Sequence, residues 1–447
     1  MKNIFLFCTL LFFCFFAQAQ AQDYGYINGV ELANMPMPIS NNAVVGVWAN
    51  DTAYVFSFGG IDSTKIWSGI TLKSFRYNTT TDLWDTILPL PDTLGKIASA
   101  ASYVDSIIYI IGGYHVLSNG NEISSNKVHR YQPSTNSYLS DGVNLPIPVD
   151  DQVQVVWNDS LIYIITGWSN TGNIPDVQIY DPANDNWLVG TPVPNNNTYK
   201  AFGASGLIIG NTIYYHGGAS TGINFPGQNT LRIGQINPLN PSQITWSSQS
   251  TSYVSYRAAA IYDYWMNKPV FVGGSEITYN YDGIAYNGSG GVPPKGFSLG
   301  FDAYSPNDLG PTFQQYVGFD TILPIDLRGI AFPFSYGNYI AGGMLYNQEV
   351  SNKTYKIFYD HAESVNELTN DNLFKLFPNP VTNQLTIVFK EIEKRTIRLI
   401  DVLGKKVLED KNSDVTIKVN VSQFSKGIYL LKVETDKENS SQKIIIQ

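Results

Sequence analysis

Cysteine is nearly absent from this 447-residue chain, and the little there is lies in one place. Cys8 and Cys14 both fall in an apolar run at the N-terminus, so a mature chain without that run has no thiol. This excludes disulfides, thiolate catalysis and cysteine-ligated metals from the mature protein. The four histidines, at positions 115, 129, 216 and 361, lack the recurring spacing of a metal site. We therefore predict no metal and no cofactor.

Charged residues are also scarce, at 15% of the chain, and their signs are unevenly distributed. Residues 23–372 carry 28 acidic and 14 basic side chains, a net charge of −14. Residues 373–447 carry 9 acidic and 13 basic side chains, a net charge of +4. The change of sign indicates a domain boundary. The acidic first part is unsuited to nucleic acid, whose phosphates need Lys and Arg, so no nucleic-acid partner is predicted.

Long hydrophobic runs are missing, with one exception at the start of the chain. Residues 4–16 form an apolar stretch of 13 residues after Lys2, and a small-x-small pattern follows at Ala17 to Ala21. A membrane-spanning helix needs about 20 such residues. We therefore predict a cleaved signal peptide at 1–21 and no transmembrane segment. The alternative is an N-terminal membrane anchor.

What the chain does contain is a repeat. A run of strand-forming residues ends in Gly-Gly at positions 59, 112, 217, 273 and 342, and a sixth copy has Thr166-Gly167. Successive copies are 53, 54, 51, 56 and 69 residues apart. In the first three copies an aromatic residue is followed, seven residues later and across a polar turn, by a second one. These pairs are Tyr77 and Trp84, Tyr131 and Tyr138, and Tyr180 and Trp187.

The two landmarks together resemble the Kelch repeat, over roughly residues 24–361. The resemblance implies an all-β fold, a six-bladed Kelch-type β-propeller at residues 22–361. Four-stranded sheets that are too small to be stable alone would pack around an axis and bury a continuous core. The last copy lacks a fourth strand, and we predict that residues 29–38 supply it and close the ring. The alternative is an unpaired N-terminal arm.

A polar linker at 362–372 precedes three further blocks. They are Pro378-Asn379-Pro380, Asp401 with Gly404-Lys405, and Gly427-Ile428-Tyr429. Residues 373–447 thereby resemble the type A sorting domain of the type IX secretion system, and alternating apolar residues predict a small antiparallel β-sandwich. The resemblance implies a partner, the type IX secretion machinery, and a location that is secreted or on the outer surface of a Gram-negative bacterium. The alternative is an ordinary carbohydrate-binding sandwich.

The mouth of the propeller channel is the expected ligand site, and charged residues recur where the innermost strands begin. They lie 14 to 17 positions before each glycine pair, at Lys96, Asp151, Lys200, Arg257 and Arg328. In the first blade the equivalent residue, Asn42 or Ala43, is uncharged. Because Lys and Arg hold carboxylates well, four cations at one repeat position favour an anionic ligand. The alternative is that these residues cap strand ends or pair with neighbouring carboxylates.

The leading hypothesis is a secreted or cell-surface protein whose propeller recognises a glycan or protein ligand, expected to be anionic. No nucleophile elbow, phosphate loop or zinc motif is present, so no catalytic residue is predicted. The alternative is an enzyme resembling periplasmic six-bladed Kelch epimerases or mutarotases of sialic acid, with Asp151 or Glu276 acting beside Arg257. A structural component of a surface layer is a third interpretation.

Overall fold

The chain divides into two compact units, Met1–His361 and Ala362–Gln447. The computed structural model describes residues 26–49, 52–251, 253–263, 268–294, 297–300, 312–315, 323–327, 338–360, 374–389, 393–401, 405–435 and 439–447. The predicted signal peptide at 1–21 and the predicted linker at 362–372 lie outside these residues. Within them, no helix has the length and apolar character of a membrane span.

The first unit consists of small antiparallel sheets, because short runs of β-branched and aromatic residues alternate with turn-forming Gly, Asn and Asp. Strand β1 (Tyr26–Leu32) comes first. Blade 1 contains β2 (Ala43–Ala49), β3 (Thr52–Ile61), β4 (Ile70–Asn78) and β5 (Leu83–Ile87). Blade 2 contains β6 (Ile97–Val104), β7 (Ile107–Val116), β8 (Glu122–Ser124), β9 (Val128–Gln132) and β10 (Ser137–Tyr138). Blade 3 contains β11 (Val153–Trp157), β12 (Leu161–Ile165), β13 (Trp168–Ser169), β14 (Gly172–Asn173), β15 (Val177–Asp181) and β16 (Asn186–Val189).

The second half of this unit repeats the plan. Blade 4 contains β17 (Phe202–Ile209), β18 (Thr212–Ala219), β19 (Thr230–Asn237) and β20 (Asn240–Ser250). Blade 5 contains β21 (Ala259–Asp263), β22 (Lys268–Val272), β23 (Phe297–Gly300) and β24 (Thr312–Gln315). Blade 6 contains β25 (Asn338–Ala341) and β26 (Thr354–Asp360). Two short 3₁₀ helices, Trp67–Gly69 and Tyr346–Gln348, connect strands in blades 1 and 6.

Neighbouring sheets pack face to face around the innermost strands. Strand β2 contacts β6, β6 contacts β11, β11 contacts β17, and β17 contacts β21. Between blades 1 and 2, Val45 and Phe58 are buried against Ile110 and Tyr131. The rings of Phe58 and Tyr131 meet edge to face at 5.5 Å. This radial stacking of six blades in the described residues confirms the predicted propeller.

The ring is closed by the N-terminal strand. Strand β1 pairs antiparallel with β26 along all seven of its residues, from Tyr26 opposite Asp360 to Leu32 opposite Thr354. It therefore becomes the outer strand of blade 6, in the order β1-β26-β25. The predicted closure by an N-terminal strand is confirmed. The strand covers Tyr26–Leu32 and therefore overlaps only the first four residues of the predicted 29–38 segment.

The glycine pairs fix the distance between blades. In each pair the second glycine donates its N–H to a carbonyl of the next blade. The bonds run from Gly60 to Lys96, Gly113 to Val149, Gly167 to Ala201, Gly218 to Ser255, Gly274 to Pro324 and Gly343 to Ile39, at 2.7–3.4 Å. The preceding Gly112 has φ +67°, and a Cβ there would lie 2.3 Å from the Val149 carbonyl oxygen. Only glycine fits both the left-handed backbone and this close approach.

The aromatic pairs hold the outer strands of each blade. The rings of Tyr77 and Trp84 pack together with their centroids 5.3 Å apart, and the Tyr77 hydroxyl donates to Asp82 in the intervening turn at 2.6 Å. The same two contacts recur in blades 2 and 3, for Tyr131 with Tyr138 and Asn136, and for Tyr180 with Trp187 and Asp185. The polar turn thus ties each strand pair together through a side chain as well as through the backbone.

The second unit is a sandwich of two antiparallel sheets. One sheet has the order β27-β28-β31 and the other β30-β29-β32-β33. These strands are β27 (Phe374–Phe377), β28 (Gln384–Phe389), β29 (Arg395–Asp401), β30 (Lys406–Asn412), β31 (Thr416–Asn420), β32 (Gly427–Thr435) and β33 (Asn439–Ile446). Leu385 and Ile387 from one sheet and Leu431 and Val433 from the other share a buried core. The predicted small sandwich is confirmed.

Candidate functional site

A ring of left-handed residues surrounds the propeller axis at one end. In each blade, one residue carries the carbonyl that accepts the N–H of the second glycine of the preceding blade's pair. The left-handed residue follows that carbonyl-bearing residue by two positions. The left-handed residues are Asn41, Ala98, Asp151, Gly203, Arg257 and Asp326, with φ between +52° and +69°. Backbone hydrogen bonds link blades along this inner ring, for example from Gly203 N–H to the Asp151 carbonyl at 2.9 Å and from Arg257 N–H to the Gly203 carbonyl at 2.8 Å. The blade repeat therefore places one residue from each blade around a common opening.

Three of these side chains form a buried charged triad. Arg257 of blade 5 bonds Asp151 of blade 3 through Nη2 at 2.7 Å and Asp326, beside blade 6, through Nη1 at 3.1 Å. Ser40 Oγ donates to the other oxygen of Asp326 at 2.9 Å. All three charged residues are at most 3% exposed. Burial opposes the charge of Arg257, but Asp151, Tyr256 and Asp326 outweigh it and raise the pKa of the guanidinium well above its usual value.

Arg257 of the triad lines two cavities. The first, the mouth cavity, has a volume of about 110 Å³ and lies on the glycine-pair side. The second, the channel, has a volume of about 520 Å³ and follows the innermost strands as far as Asp159. The channel walls are largely small residues and backbone, whereas the mouth cavity is lined mainly by aromatic and acidic side chains.

Aromatic side chains from four adjacent blades line the mouth cavity. Trp168 lies 5.5 Å from both Phe202 and Phe225, and Phe225 lies 4.7 Å from Tyr286. Phe202 is buried, whereas Trp168, Phe225 and Tyr286 are half-buried. Tyr114 of blade 2 completes the aromatic lining. Burial raises the pKa of Tyr286 well above its usual value, so this residue is a neutral phenol.

The polar lining of the mouth cavity is mostly acidic. Among the lining residues that the structure describes, Glu122, Asp150 and Asp151 contribute three carboxyl groups and Arg257 one guanidinium. Asp150 accepts a hydrogen bond from Ser124 Oγ at 2.5 Å. Burial removes water from the Glu122 carboxyl and raises its pKa. The positive charge of Arg257 lowers this pKa, whereas the negative charge of Asp151 raises it further. The side chain of Glu122 nevertheless remains exposed at the rim.

The structure brings together two of the five residues that the sequence singled out, Asp151 and Arg257. Lys96 lies elsewhere, with its ammonium 2.5 Å from Asp92 and 3.1 Å from His129 Nε2. It is 1% exposed, and burial lowers its pKa although Asp92 opposes the shift. Its place in a ligand-binding mouth therefore has no support from the described contacts.

The other two described candidates, Lys200 and Glu276, are not among the described lining residues of the mouth cavity. Lys200 is half-buried, and its main-chain N–H donates to the Asn196 carbonyl at 3.0 Å. Arg328 lies outside the described residues. Glu276, offered for the enzyme hypothesis, is exposed and lies apart from the described lining of the mouth cavity. For each of these residues a binding or catalytic role stays a prediction.

The register of the repeat explains why Lys96 and Lys200 are not residues of the inner ring. Relative to the inner ring, Lys96 is two positions early, Lys200 three positions early and Arg328 two positions late. Counting back from the glycine pairs does not keep the register, because the segment between ring and glycine varies in length. Sequence reasoning also missed Asp326 and the aromatic wall. One signal was available, since Tyr114 and Trp168 directly follow their glycine pair or its equivalent.

Known proteins resemble this chain in both its propeller and its sorting domain. The family described as secretion system C-terminal sorting domain matches residues 375–447. The solved structure of YjhT superposes with a TM-score of 0.56 and 16% identity, covering 74% of this chain and 99% of that one. The Kelch-like protein terF of Aspergillus terreus is 28% identical over 204 residues, which are 44% of this chain and 42% of that protein.

The chain carries a Kelch-type β-propeller and a secretion-system sorting domain. Kelch-like protein 26 of Mus musculus is 24% identical over 179 residues, 38% of this chain and 27% of that protein. An endo-acting ulvan lyase of Formosa agariphila is 36% identical over 76 residues, 16% of this chain and 14% of that protein. The chain thus spans less than half the length of the curated relatives it matches. The sorting domain supports export by type IX secretion, to the medium or to the cell surface.

Proposed function

We propose that this Kelch-type propeller is a binding module that holds a glycan or protein ligand at its mouth, on the outer surface of a Gram-negative bacterium or released from it. The observation that carries the proposal is the aromatic and acidic cavity above the Arg257 triad. Aromatic walls with a few polar groups are typical of ligand sites. No cofactor enters this proposal, and the predicted signal peptide would start the export that the sorting domain completes.

The geometry favours a neutral or cationic ligand over the anionic one expected from the sequence. Arg257 and Lys96, the two candidate cations within the described residues whose side-chain contacts are known, are each bonded to a carboxylate. A carboxylate ligand would have to displace these partners and would face Glu122 and Asp150. Like charges so placed disfavour binding.

The enzyme alternative lacks a comparable observation. Asp151 is bonded to Arg257 at 2.7 Å and is buried, so it does not present an available base to the mouth cavity. The binding proposal therefore stands alone as the function that the geometry supports best.

Binding of the purified chain to an array of neutral, cationic and anionic glycans, at low and high salt, tests the proposal. Trp168→Ala should weaken the binding of a mouth ligand. Trp187→Ala is the matched control, because Trp187 is also half-buried in blade 3 but packs on Tyr180 in the outer strands. Retained binding in Trp168→Ala, or loss equal to that of Trp187→Ala, would place the ligand elsewhere.

A further inference from the structure

The mouth cavity is smaller than an ordinary ligand site. Its volume is about 110 Å³, whereas pockets that enclose most of a small ligand measure roughly 300–1,000 Å³. Part of the space at the mouth is taken by the chain itself, because the ring of Tyr286 packs 4.7 Å from that of Phe225 and 6.4 Å from that of Phe202. A ligand of ordinary size therefore fits only if the segment that carries Tyr286 moves away.

That segment belongs to the connection between the second and third strands of blade 5, and we call its residues 280–291 the strap. Directly after the strap, the Val292 carbonyl accepts a hydrogen bond from Gln348 Nε2 of blade 6 at 3.2 Å. Within the strap, Tyr286 packs on blade 4 and lines the mouth cavity together with Tyr114 of blade 2. The strap thus forms the outer part of the cavity wall that blade 5 contributes.

The hydrogen bonds of the strap are made within the segment itself. The Asn280 N–H donates to the Ile284 carbonyl at 2.9 Å, and the Tyr286 N–H donates to the Thr278 carbonyl at 3.1 Å. The Tyr286 hydroxyl donates to Asn280 Oδ1 at 3.5 Å. Among the residues that the structure describes, no hydrogen bond joins residues 280–291 to another blade. The strap is therefore free to move as a unit without breaking its own bonds.

Side-chain packing is what holds the strap against the blades. Ala285 is buried in the apolar layer at the mouth and Tyr286 is half-buried, whereas residues 287–291 are exposed. The ends of the segment are fixed, because Tyr279 and Val292 are fully buried. A segment with few buried contacts between two fixed ends opens at a lower free energy than the blades unfold.

We infer that the strap is a movable wall of the mouth cavity, and that its opening admits the ligand; this rests on the mouth being the ligand site proposed above. Opening separates Tyr286 from Phe225 and enlarges the cavity. The Tyr286 hydroxyl moves together with its partner Asn280, so no polar group of another blade loses a hydrogen bond. Because only the open form accepts the ligand, the apparent affinity rises with the open fraction.

Thiol labelling tests this inference, because Cys8 and Cys14 are the only cysteines and both lie in the predicted signal peptide. In a chain without residues 1–21, Ala285→Cys introduces a single thiol in the strap. Ala43→Cys introduces one in the core between blades 1 and 2, and both alanines are at most 4% exposed. The thiol in the strap should react with a maleimide at least about a hundredfold faster, since the other thiol waits for larger unfolding. Equal rates would overturn the inference.

Two further substitutions connect the labelling rate to the contacts of the strap. Tyr286→Ala removes the ring contacts with blade 4 and should raise the rate of the Ala285→Cys chain about tenfold. Gln348→Ala removes the hydrogen bond to Val292 and should raise it about twofold to tenfold. Tyr346→Ala is the matched control, because Tyr346 lies in the same 3₁₀ helix as Gln348 but is exposed, and it should leave the rate unchanged. Unchanged rates in the first two variants would contradict the inference.

Binding on the glycan array separates the inference from the proposed function. Gln348→Ala should bind a mouth ligand about twofold to tenfold more tightly, because more of the protein is open, whereas Trp168→Ala should bind it more weakly. Trp168-dependent binding with slow labelling of the Ala285→Cys chain, or without any gain in Gln348→Ala, would refute only the movable strap. Fast labelling without any Trp168-dependent binding would refute the proposed binding site and support the mobility of the strap.

Discussion

Replacing Arg257 with Met should destabilise the propeller far more than removing an ion pair of the same length at the surface. Arg257 and Asp151 are 1% and 3% exposed at the side chain, with N and O at 2.7 Å. Arg76 and Asp85 meet at 2.9 Å but are 32% and 57% exposed. The comparison therefore isolates burial from geometry.

The magnitudes follow from what each substitution leaves behind. Arg257→Met removes the ion-pair partner of Asp151 and Asp326, two carboxylates that are at most 3% exposed, which costs about 3–5 kcal/mol of unfolding free energy. Arg76→Met leaves Asp85 in water and should cost at most about 1 kcal/mol. Since single domains are stable by only about 5–15 kcal/mol, the first loss is a large fraction of the total.

Urea unfolding followed by tryptophan fluorescence measures this difference cleanly. All eight tryptophans, at positions 48, 67, 84, 157, 168, 187, 246 and 265, belong to the first unit. The signal consequently reports on the propeller even in the full chain, where the sorting domain could unfold separately. Adding Asp151→Asn and Asp326→Asn to the Arg257→Met variant should recover part of the loss, because no unpaired charge remains.

The size of the penalty at pH 7 decides the question. A penalty under about 1 kcal/mol at pH 7, equal to that of Arg76→Met, would refute the reasoning that the triad is a compensated buried charge cluster.

Three further outcomes follow from the fold. Gly112→Ala, at φ +67° and with a Cβ 2.3 Å from a carbonyl oxygen, should cost about 3 kcal/mol in the same urea assay, whereas Gly120→Ala, at φ +84° with open space around it, should cost about 1–2 kcal/mol. A chain that begins at residue 33 loses the seven pairings of β1 and should melt at a lower temperature and less cooperatively; an unchanged Tm would argue against closure by this strand. Asp92→Asn should destabilise the protein by about 3 kcal/mol at pH 7 because it leaves Lys96 buried without its carboxylate. Burial opposes the charge of Asp92, but His129 and Lys96 hold its pKa well below 3.8, so its contribution is present above that pH and the difference from Asn should shrink as pH falls below it.

The fold was predictable from the sequence because its structural unit repeats along the chain. Each glycine pair marks a place where a left-handed backbone approaches the next blade, and each aromatic pair marks an outer turn. Both constraints act within one blade, so they recur visibly along the chain. Ring closure was predictable for the same reason. The last repeat lacks a strand and the N-terminal segment has a strand outside the first repeat, so pairing the two completes blade 6.

The site was only half predictable because its members obey a different constraint. The inner ring is defined by backbone geometry at Asp151, Arg257 and their equivalents, and the side chains there are unlike one another. Nothing in spacing alone shows that Asp326 meets Arg257. Trp168, Phe225 and Tyr286 of the aromatic wall lie in segments of unequal length between the second and third main strands of their blades, where the repeat is weakest.

The residues of the inner ring differ in how well they tolerate a left-handed backbone. A left-handed backbone is easy for Gly203 and tolerable for Asp151 and Asp326, but it costs a bulky residue such as Arg257 about 1 kcal/mol or more. That strain persists because hydrogen bonds fix the backbone on both sides and two ion pairs fix the side chain. The strained position is the one whose side chain lines both cavities. Arg257 therefore places a charged side chain at the border of both the mouth cavity and the channel.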